Sequence, residues 1–123
     1  MANKTRIVLV DDEEILLTVI TKKLSEQFEA ISFINPIMAL EYIRENHNQV
    51  DILLTDYKMP VLDGIELILT VEKINPAIKK VLLTAYSDML TKNTKIPRCD
   101  LLLEKSILQS LDELVNMIST LIE

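Results

Sequence analysis

Short apolar runs alternate with longer segments of helical period along the whole chain, and this alternation constrains the fold more than any other feature. The apolar runs lie near residues 5–10, 29–34, 51–55, 80–84 and 100–103. Apolar strands that alternate with helices are typical of a parallel sheet covered by helices on both faces. The sequence therefore predicts an α/β fold, a doubly wound parallel sheet with five strands.

Two helices in the first half of the chain follow from local signals. The first, near residues 14–27, is amphipathic, and its predicted inner stripe includes Val19 and Ile20. Asn35 followed by Pro36 is the pattern of an N-cap and a proline at the first helical position, so a second helix is expected to begin there.

The second half of the chain contains three more candidate helices. A third helix is expected over residues 64–73. Residues 106–109 have the spacing of a capping box that starts at Ser106, which predicts the start of a C-terminal helix. Between these two, residues 87–98 contain threonines, asparagine and a proline, and they predict a fourth helix that is short or irregular.

The composition limits the partners and the compartment. A chain of 123 residues, about half of them apolar, is expected to form a single domain over residues 1–123. The net charge of −6 argues against direct binding to nucleic acid or to an anionic membrane. One cysteine cannot form an internal disulfide, and no signal peptide or membrane span is evident, so a cytoplasmic protein is predicted.

Polar side chains stand at the ends of four predicted strands. Asp11 and Asp12 follow the first strand, Asp56 ends the third, Thr84 ends the fourth, and Lys105 follows the fifth. Ligands of an open parallel sheet bind at the carboxyl ends of its strands, so these side chains are expected to share one site. Three crowded acids repel one another unless a cation joins them, and oxygen ligands suit Mg²⁺. One carboxylate could then attack a phosphoryl group.

Further residues beside these strand ends complete a recognisable pattern. Met59-Pro60 and Asp63-Gly64 follow Asp56, and Ala85 follows Thr84. In this order and spacing, the residues closely resemble the receiver domain of bacterial response regulators, and the resemblance covers essentially the whole chain. It implies a flavodoxin-like sheet in the strand order 2-1-3-4-5. It also implies a phosphoprotein of a two-component phosphorelay, with a sensor histidine kinase or a phosphotransfer protein as partner.

The resemblance also implies roles for the acids. Asp56 would be the phosphoacceptor and would form an aspartyl phosphate. Asp12 would bind Mg²⁺ directly, and Asp11 would act mainly through metal-bound water. Lys58 would contribute its backbone carbonyl to the metal.

The resemblance implies roles for two more site residues, and the sequence departs from the family pattern at two other positions. Thr84 would hydrogen-bond the new phosphoryl group, and Lys105 would pair with one of its oxygens. Leu102 stands where the family carries an aromatic residue, and Tyr86 is the candidate to replace it. Ser106 stands where the family carries a proline after a cis bond. A cis bond without proline costs about 2.5 to 4 kcal/mol, so a trans bond is expected here.

Three functions are compatible with this pattern. The favoured one is a phosphorylation switch, not an enzyme beyond assisting its own phosphorylation and slow dephosphorylation, which signals by docking to an unidentified protein. The second is a degenerate receiver, a phosphate-independent binding module, which Leu102 and Ser106 support. The third is a metal-dependent phosphatase with an aspartate nucleophile, but Asp56-Tyr57-Lys58 lacks the second aspartate that such enzymes need.

Overall fold

The structure is a computed structural model that describes residues 4–85 and 99–122. Within these residues all neighbouring strands of a single five-stranded sheet run parallel, in the order β2-β1-β3-β4-β5. The strands are β1 (Arg6–Val10), β2 (Glu29–Phe33), β3 (Ile52–Asp56), β4 (Lys79–Thr84) and β5 (Leu101–Glu104). The predicted flavodoxin-like sheet and its 2-1-3-4-5 order are confirmed.

Four α-helices belong to the described part of the chain. They are α1 (Glu14–Leu24), α2 (Pro36–Asn46), α3 (Gly64–Ile74) and α4 (Leu111–Ser119), with 3-10 turns at His47–Gln49, Lys105–Gln109 and Thr120–Ile122. None of the helices in the described ranges is long and apolar enough to cross a membrane. The helix that the sequence predicts within residues 87–98 lies outside the described residues.

The sheet separates two hydrophobic cores, because successive side chains of a strand point to opposite faces. On one face α1 and α4 cover Leu54 and Leu83, and on the other α2 and α3 cover Leu53 and Leu82. Each fully buried leucine contributes roughly 1.5 to 3 kcal/mol to folding. All of β3 is buried. Because β3 is the central strand of the five, its last residue, Asp56, lies in the middle of the carboxyl edge of the sheet.

Two helix starts are fixed by side-chain caps. The Asn35 carboxamide oxygen accepts hydrogen bonds from the backbone of Ile37 at 2.8 Å and of Met38 at 3.4 Å, which confirms the predicted start of α2. At α3 the Asp63 carboxylate accepts from the Glu66 backbone at 2.8 Å, and the Glu66 side chain accepts from the Asp63 backbone at 3.4 Å. This capping box was not predicted.

Two local predictions are wrong. Val19 is 46% exposed, whereas Leu17 is buried with Ile20, because the inner stripe of α1 is rotated by part of a turn towards Leu17. Ser106 does not begin the last helix, since it lies inside a 3-10 turn that leads out of β5. The α-helical hydrogen bonds begin only at Ser110, whose carbonyl accepts from the Leu114 backbone at 3.2 Å.

Candidate functional site

Three acids meet at the carboxyl edge of the sheet. β1 and β3 are neighbours, and Val10 pairs with Thr55, so the next residue of each strand brings Asp11 beside Asp56. Carboxylate oxygens of Asp11, Asp12 and Asp56 all lie within 4.8 Å of one another. Asp11 and Asp56 are buried, and Asp12 is exposed. The predicted cluster of acids is therefore one compact group that opens to solvent on the Asp12 side.

Burial makes this cluster electrostatically unfavourable. Desolvation raises the pKa of Asp11 to about 6, against a hydrogen bond from the Glu13 backbone, and the nearby charge of Asp56 adds to the rise. Burial also raises the pKa of Asp56, although the ammonium of Lys105 opposes it. Both shifts have the direction expected of carboxylates that lack sufficient positive charge around them. A cation bound among the acids would relieve this repulsion.

Lys105 brings a single positive charge to the acids. Its Nζ lies 3.2 Å from Oδ1 of Asp56 and 3.5 Å from Oε1 of Glu13. Burial is the largest single influence and lowers the pKa of Lys105, but the charge and hydrogen bond of Asp56, together with the charges of Asp11 and Glu13, outweigh it, and the net shift is upward. In the described ranges no peptide bond is cis, so the bond from Lys105 to Ser106 is trans, as predicted.

The remaining predicted site residues occupy neighbouring positions on the same edge. Thr84 ends β4, one residue beyond the pair formed by Asp56 and Leu83, and its hydroxyl donates to the Ala85 carbonyl at 3.2 Å. Lys58 lies in the loop between β3 and α3. Tyr86, the candidate to replace the aromatic residue, lies outside the described residues.

The backbone around Asp56 is held tightly. The Tyr57 backbone donates to Asp56 Oδ1 at 2.8 Å, and the Thr55 hydroxyl donates to the Asp56 carbonyl at 2.9 Å. A Cβ atom at Gly64 would lie 2.1 Å from that carbonyl oxygen, closer than any real contact. Only glycine therefore allows α3 to begin against the end of β3, and the chain places its single glycine there.

The sequence alone did not predict a role at the site for Glu13 or for Gly64. Glu13 directly follows the acid pair, and Gly64 is the only glycine in the sequence, so both signals were visible. The contact between Glu13 and Lys105 depends on how α1 begins relative to β5, which no local pattern specifies.

The donor set fits a hard divalent cation. Mg²⁺ binds oxygen ligands at about 2.1 Å, so two ligands on opposite sides of the ion lie about 4 Å apart. The three acids, with carboxylate oxygens inside 4.8 Å, need only a small adjustment to reach that geometry. The repulsion among the three acids favours the binding of such a cation.

Fold and site together define a doubly wound α/β domain with a carboxylate cluster and a lysine at its carboxyl edge. The family model described as "Response regulator receiver domain" matches residues 7–119. The chain belongs to the response regulator receiver family, a family of signalling modules.

Curated proteins of two-component systems are similar to this chain. The two-component response regulator ARR10 of Arabidopsis thaliana is 31% identical over 102 residues, which cover 80% of this chain and 18% of that protein. The sporulation initiation phosphotransferase F of Bacillus subtilis is 30% identical over 87 residues, which cover 68% of this chain and 67% of that protein. The chain thus spans about a fifth of the length of ARR10.

Solved structures agree with the family. The response regulator TrrA of Thermotoga maritima, in complex with Mg²⁺ and BeF, superimposes with a TM-score of 0.81 at 28% identity. The match covers 95% of this chain and 98% of that one. The receiver domain of Francisella response regulator 1452 gives a TM-score of 0.78 at 27% identity, with 95% of each chain covered.

Proposed function

We propose that this receiver accepts a phosphoryl group on Asp56 from a sensor histidine kinase or a phosphotransfer protein, with Mg²⁺ as cofactor. The observation that carries the proposal is the position of the Asp56 carboxylate, which lies between two other acids and an ammonium group. A carboxylate so placed has within reach both candidate metal ligands and a cation that can hold a transferred phosphoryl group.

Asp56 acts as the nucleophile. One of its carboxylate oxygens attacks the phosphorus of the donor, and the bond from phosphorus to the donor's histidine nitrogen breaks. The nitrogen keeps the electron pair, and Asp56 becomes an aspartyl phosphate. Because Tyr57 and Lys105 both donate to Oδ1, the carboxylate is already oriented before the donor arrives. Orientation of this kind lowers the entropic part of the barrier to phosphoryl transfer.

Asp11, Asp12, Asp56 and the Lys58 carbonyl would hold Mg²⁺. The ion supplies neutralising charge for the phosphoryl oxygens and for the acids themselves. Asp12 is the exposed member of the cluster and suits direct ligation, whereas buried Asp11 accepts a hydrogen bond from the Glu13 backbone and suits contact through metal-bound water. The TrrA structure contains Mg²⁺ with BeF, which supports the same chemistry for this related chain.

Lys105 and Thr84 respond to the new group. Lys105 pairs with a phosphoryl oxygen, and the Thr84 hydroxyl exchanges its bond to the Ala85 carbonyl for one to the phosphoryl group. Phosphorylation adds roughly −1.5 to −2 charges, and this addition can shift a two-state surface. The movement of Thr84 draws its loop inward and changes the surface that partner proteins meet.

The output is phosphorylation-dependent docking to another protein. We propose one receiver domain over residues 1–123, cytoplasmic, with no catalytic activity beyond its own phosphorylation and slow dephosphorylation. The formal charge of −6 supports a protein target rather than nucleic acid or membrane.

The test is phosphoryl uptake. The protein is incubated with Mg²⁺ and acetyl phosphate, and intact mass is measured for the parent, for Asp56→Asn and for Asp112→Asn. Asp112 is exposed on α4 and serves as a matched control. Parent and Asp112→Asn are expected to gain one phosphoryl group and Asp56→Asn none, and removal of Mg²⁺ with EDTA should abolish uptake.

Other results would contradict the proposal. A parent protein that binds Mg²⁺ but gains no mass would indicate a phosphate-independent binding module. Hydrolysis of a small phosphate ester at a rate far above that of dephosphorylation would indicate a phosphatase.

A further inference from the structure

Glu13 is an acid beside the site that the proposed transfer does not use. Its Oε1 lies 3.5 Å from the Lys105 ammonium, which also contacts Asp56 at 3.2 Å. Its backbone N–H donates to the Asp11 carboxylate at 2.9 Å, so the acid cluster itself holds Glu13 in place. Glu13 precedes the first residue of α1, and its carbonyl accepts from the Leu17 backbone at 2.9 Å.

The path of the chain after β5 brings Lys105 to Glu13. Lys105 begins the 3-10 turn directly after Glu104, and the bond to Ser106 is trans. From this position the ammonium of Lys105, whose side chain is 27% exposed, lies near both the buried carboxylate of Asp56 and the more exposed carboxylate of Glu13. One positive charge is thus shared by two acids on different elements.

We propose that Glu13 competes with the phosphoryl group for Lys105 and thereby weakens the hold of the site on a bound phosphoryl group. A carboxylate beside the ammonium reduces the positive potential that Lys105 can direct at the phosphoryl oxygens. The same carboxylate also repels those oxygens. Both effects have the same sign, so Glu13 tunes the strength of the phosphoryl site downward.

This inference rests on the proposed function, because it requires a phosphoryl site at Asp56. It adds a residue that regulates that site without touching the metal. The Glu13 side chain is 63% exposed, so the size of the effect is that of a surface ion pair and depends on salt.

The test uses beryllofluoride with saturating Mg²⁺ as a phosphoryl analogue. Its dissociation constant is measured for the parent, Glu13→Gln, Glu13→Asp and Glu14→Gln. Glu13→Gln is expected to bind the analogue about two- to fivefold more tightly, the factor that a surface ion pair supports. Glu13→Asp keeps the charge but moves it away from Lys105 by one methylene, and it is also expected to bind the analogue more tightly than the parent. Glu14→Gln, exposed in the first turn of α1, controls for general charge and should match the parent.

A second measurement reports the contact without any ligand. The ¹³Cε signal of Lys105 in the metal-free protein should shift in Glu13→Gln and stay in place in Glu14→Gln. Weaker analogue binding by Glu13→Gln would show that Glu13 positions Lys105 and would overturn the inference. Equal changes in Glu13→Gln and Glu14→Gln would overturn it too, because general charge would then suffice.

The two proposals fail in different ways. If the parent binds beryllofluoride and Glu13→Gln binds it equally well, the inference falls and the proposed function stands. If the parent binds beryllofluoride but takes no phosphoryl group from any donor, the proposed function falls while the effect of Glu13 is still measured. If the parent does not bind the analogue, the inference falls, and phosphoryl uptake from acetyl phosphate alone decides the proposed function.

Discussion

Each end of the sheet holds a lysine beside acid, but in the described part of the chain Lys105 at the carboxyl end contacts two acids and Lys80 at the amino end contacts one. At the amino end of β4, Lys80 is 3% exposed, lies 2.5 Å from the Glu72 carboxylate and donates to the Ile78 carbonyl at 2.6 Å. At the carboxyl end, Lys105 is the cation that contacts the acid cluster in the described part of the chain.

The comparison separates structural charge from functional charge. At the amino end one lysine meets one glutamate, and the group is closed by a backbone carbonyl. At the carboxyl end Lys105 lies near four acids, Asp11, Asp12, Glu13 and Asp56, among the residues that the structure describes. Burial of charge occurs at both ends, so burial does not identify the site. The larger number of acids around the lysine at the carboxyl end identifies it.

The largest expected effect comes from breaking the carboxyl end at Gly64. The Cβ of Gly64→Ala would meet the Asp56 carbonyl oxygen at 2.1 Å, so either α3 or the end of β3 must move. Overpacking against backbone is expected to lower the free energy of unfolding by about 3 kcal/mol, measured by urea denaturation. Glu66→Ala, which removes half of the capping box at the same helix start, is the control and should lose about 1 kcal/mol. A loss below that of the control would contradict this account of Gly64.

The next effect concerns the amino end. Glu72→Gln removes the charge partner of buried Lys80 and should lower the free energy of unfolding by about 2 kcal/mol, less than for a fully buried pair because Glu72 is 43% exposed. Glu45→Gln, an exposed acid on α2, should change it by less than about 0.5 kcal/mol. Equal stability of the two variants in thermal unfolding would show that Lys80 does not depend on the charge of Glu72.

At the carboxyl end the sign should reverse. Folding raises the pKa of Asp11 from its ordinary value of 3.8 to about 6, so the ionised acid destabilises the metal-free fold. This group therefore favours folding most below pH 3.8, and its contribution is lost as the pH rises through about 6. Asp11→Asn should raise the free energy of unfolding at pH 7 without Mg²⁺ by about 1 kcal/mol.

The pH and metal dependence sharpen this third prediction. The gain of Asp11→Asn should shrink as the pH falls from about 6 to 3.8 and vanish below pH 3.8, where the parent's Asp11 is neutral in both states. Added Mg²⁺ should stabilise the parent more than the variant in the same urea series. A variant less stable than the parent at pH 7 in EDTA would show that the acids are not in excess.

The smallest effect is expected in the loop after β3. Val61 has a positive φ of 74° and is 88% exposed, a strained conformation for a β-branched residue. Val61→Gly should raise the free energy of unfolding by about 0.5 to 1 kcal/mol, measured by urea denaturation. Val19→Gly, in the middle of α1, should lose about 1 kcal/mol, because glycine is unfavourable inside a helix. Equal signs for the two variants would contradict the strain at Val61.

Local patterns predicted the strands and the site acids, but they did not predict how the elements fit together. The apolar runs were enough to find β1 to β5, whereas the strand order came from the family resemblance, since pairing is a long-range property. Ser106 and Asp63 both begin segments with the spacing of a capping box, yet only Asp63 caps a helix. The difference lies in the tertiary path: the chain leaves β5 through a 3-10 turn that includes Ser106.

The site shows the same division. Asp11, Asp12 and Asp56 stand at strand ends, and the geometry of a parallel sheet brings such ends together. The contact of Glu13 with Lys105 could not be predicted, because it joins the start of α1 to the turn after β5. Residues fixed by sheet geometry were predictable from the sequence, and contacts between loops were not.

The close approach of Gly64 to Asp56 makes the joint between β3 and α3 stiff. The Gly64 backbone also donates to the Tyr57 carbonyl at 2.7 Å, so α3 and the chain beside Asp56 have little room to move apart or together. We therefore expect α3 to yield little to a disturbance that begins at Asp56. We expect the ends of β4 and β5 to yield more, and there the Thr84 hydroxyl donates to the Ala85 carbonyl in the described part of the chain. The single glycine thus holds one neighbour of Asp56 in place, and we expect any response of the domain to appear at the other neighbours.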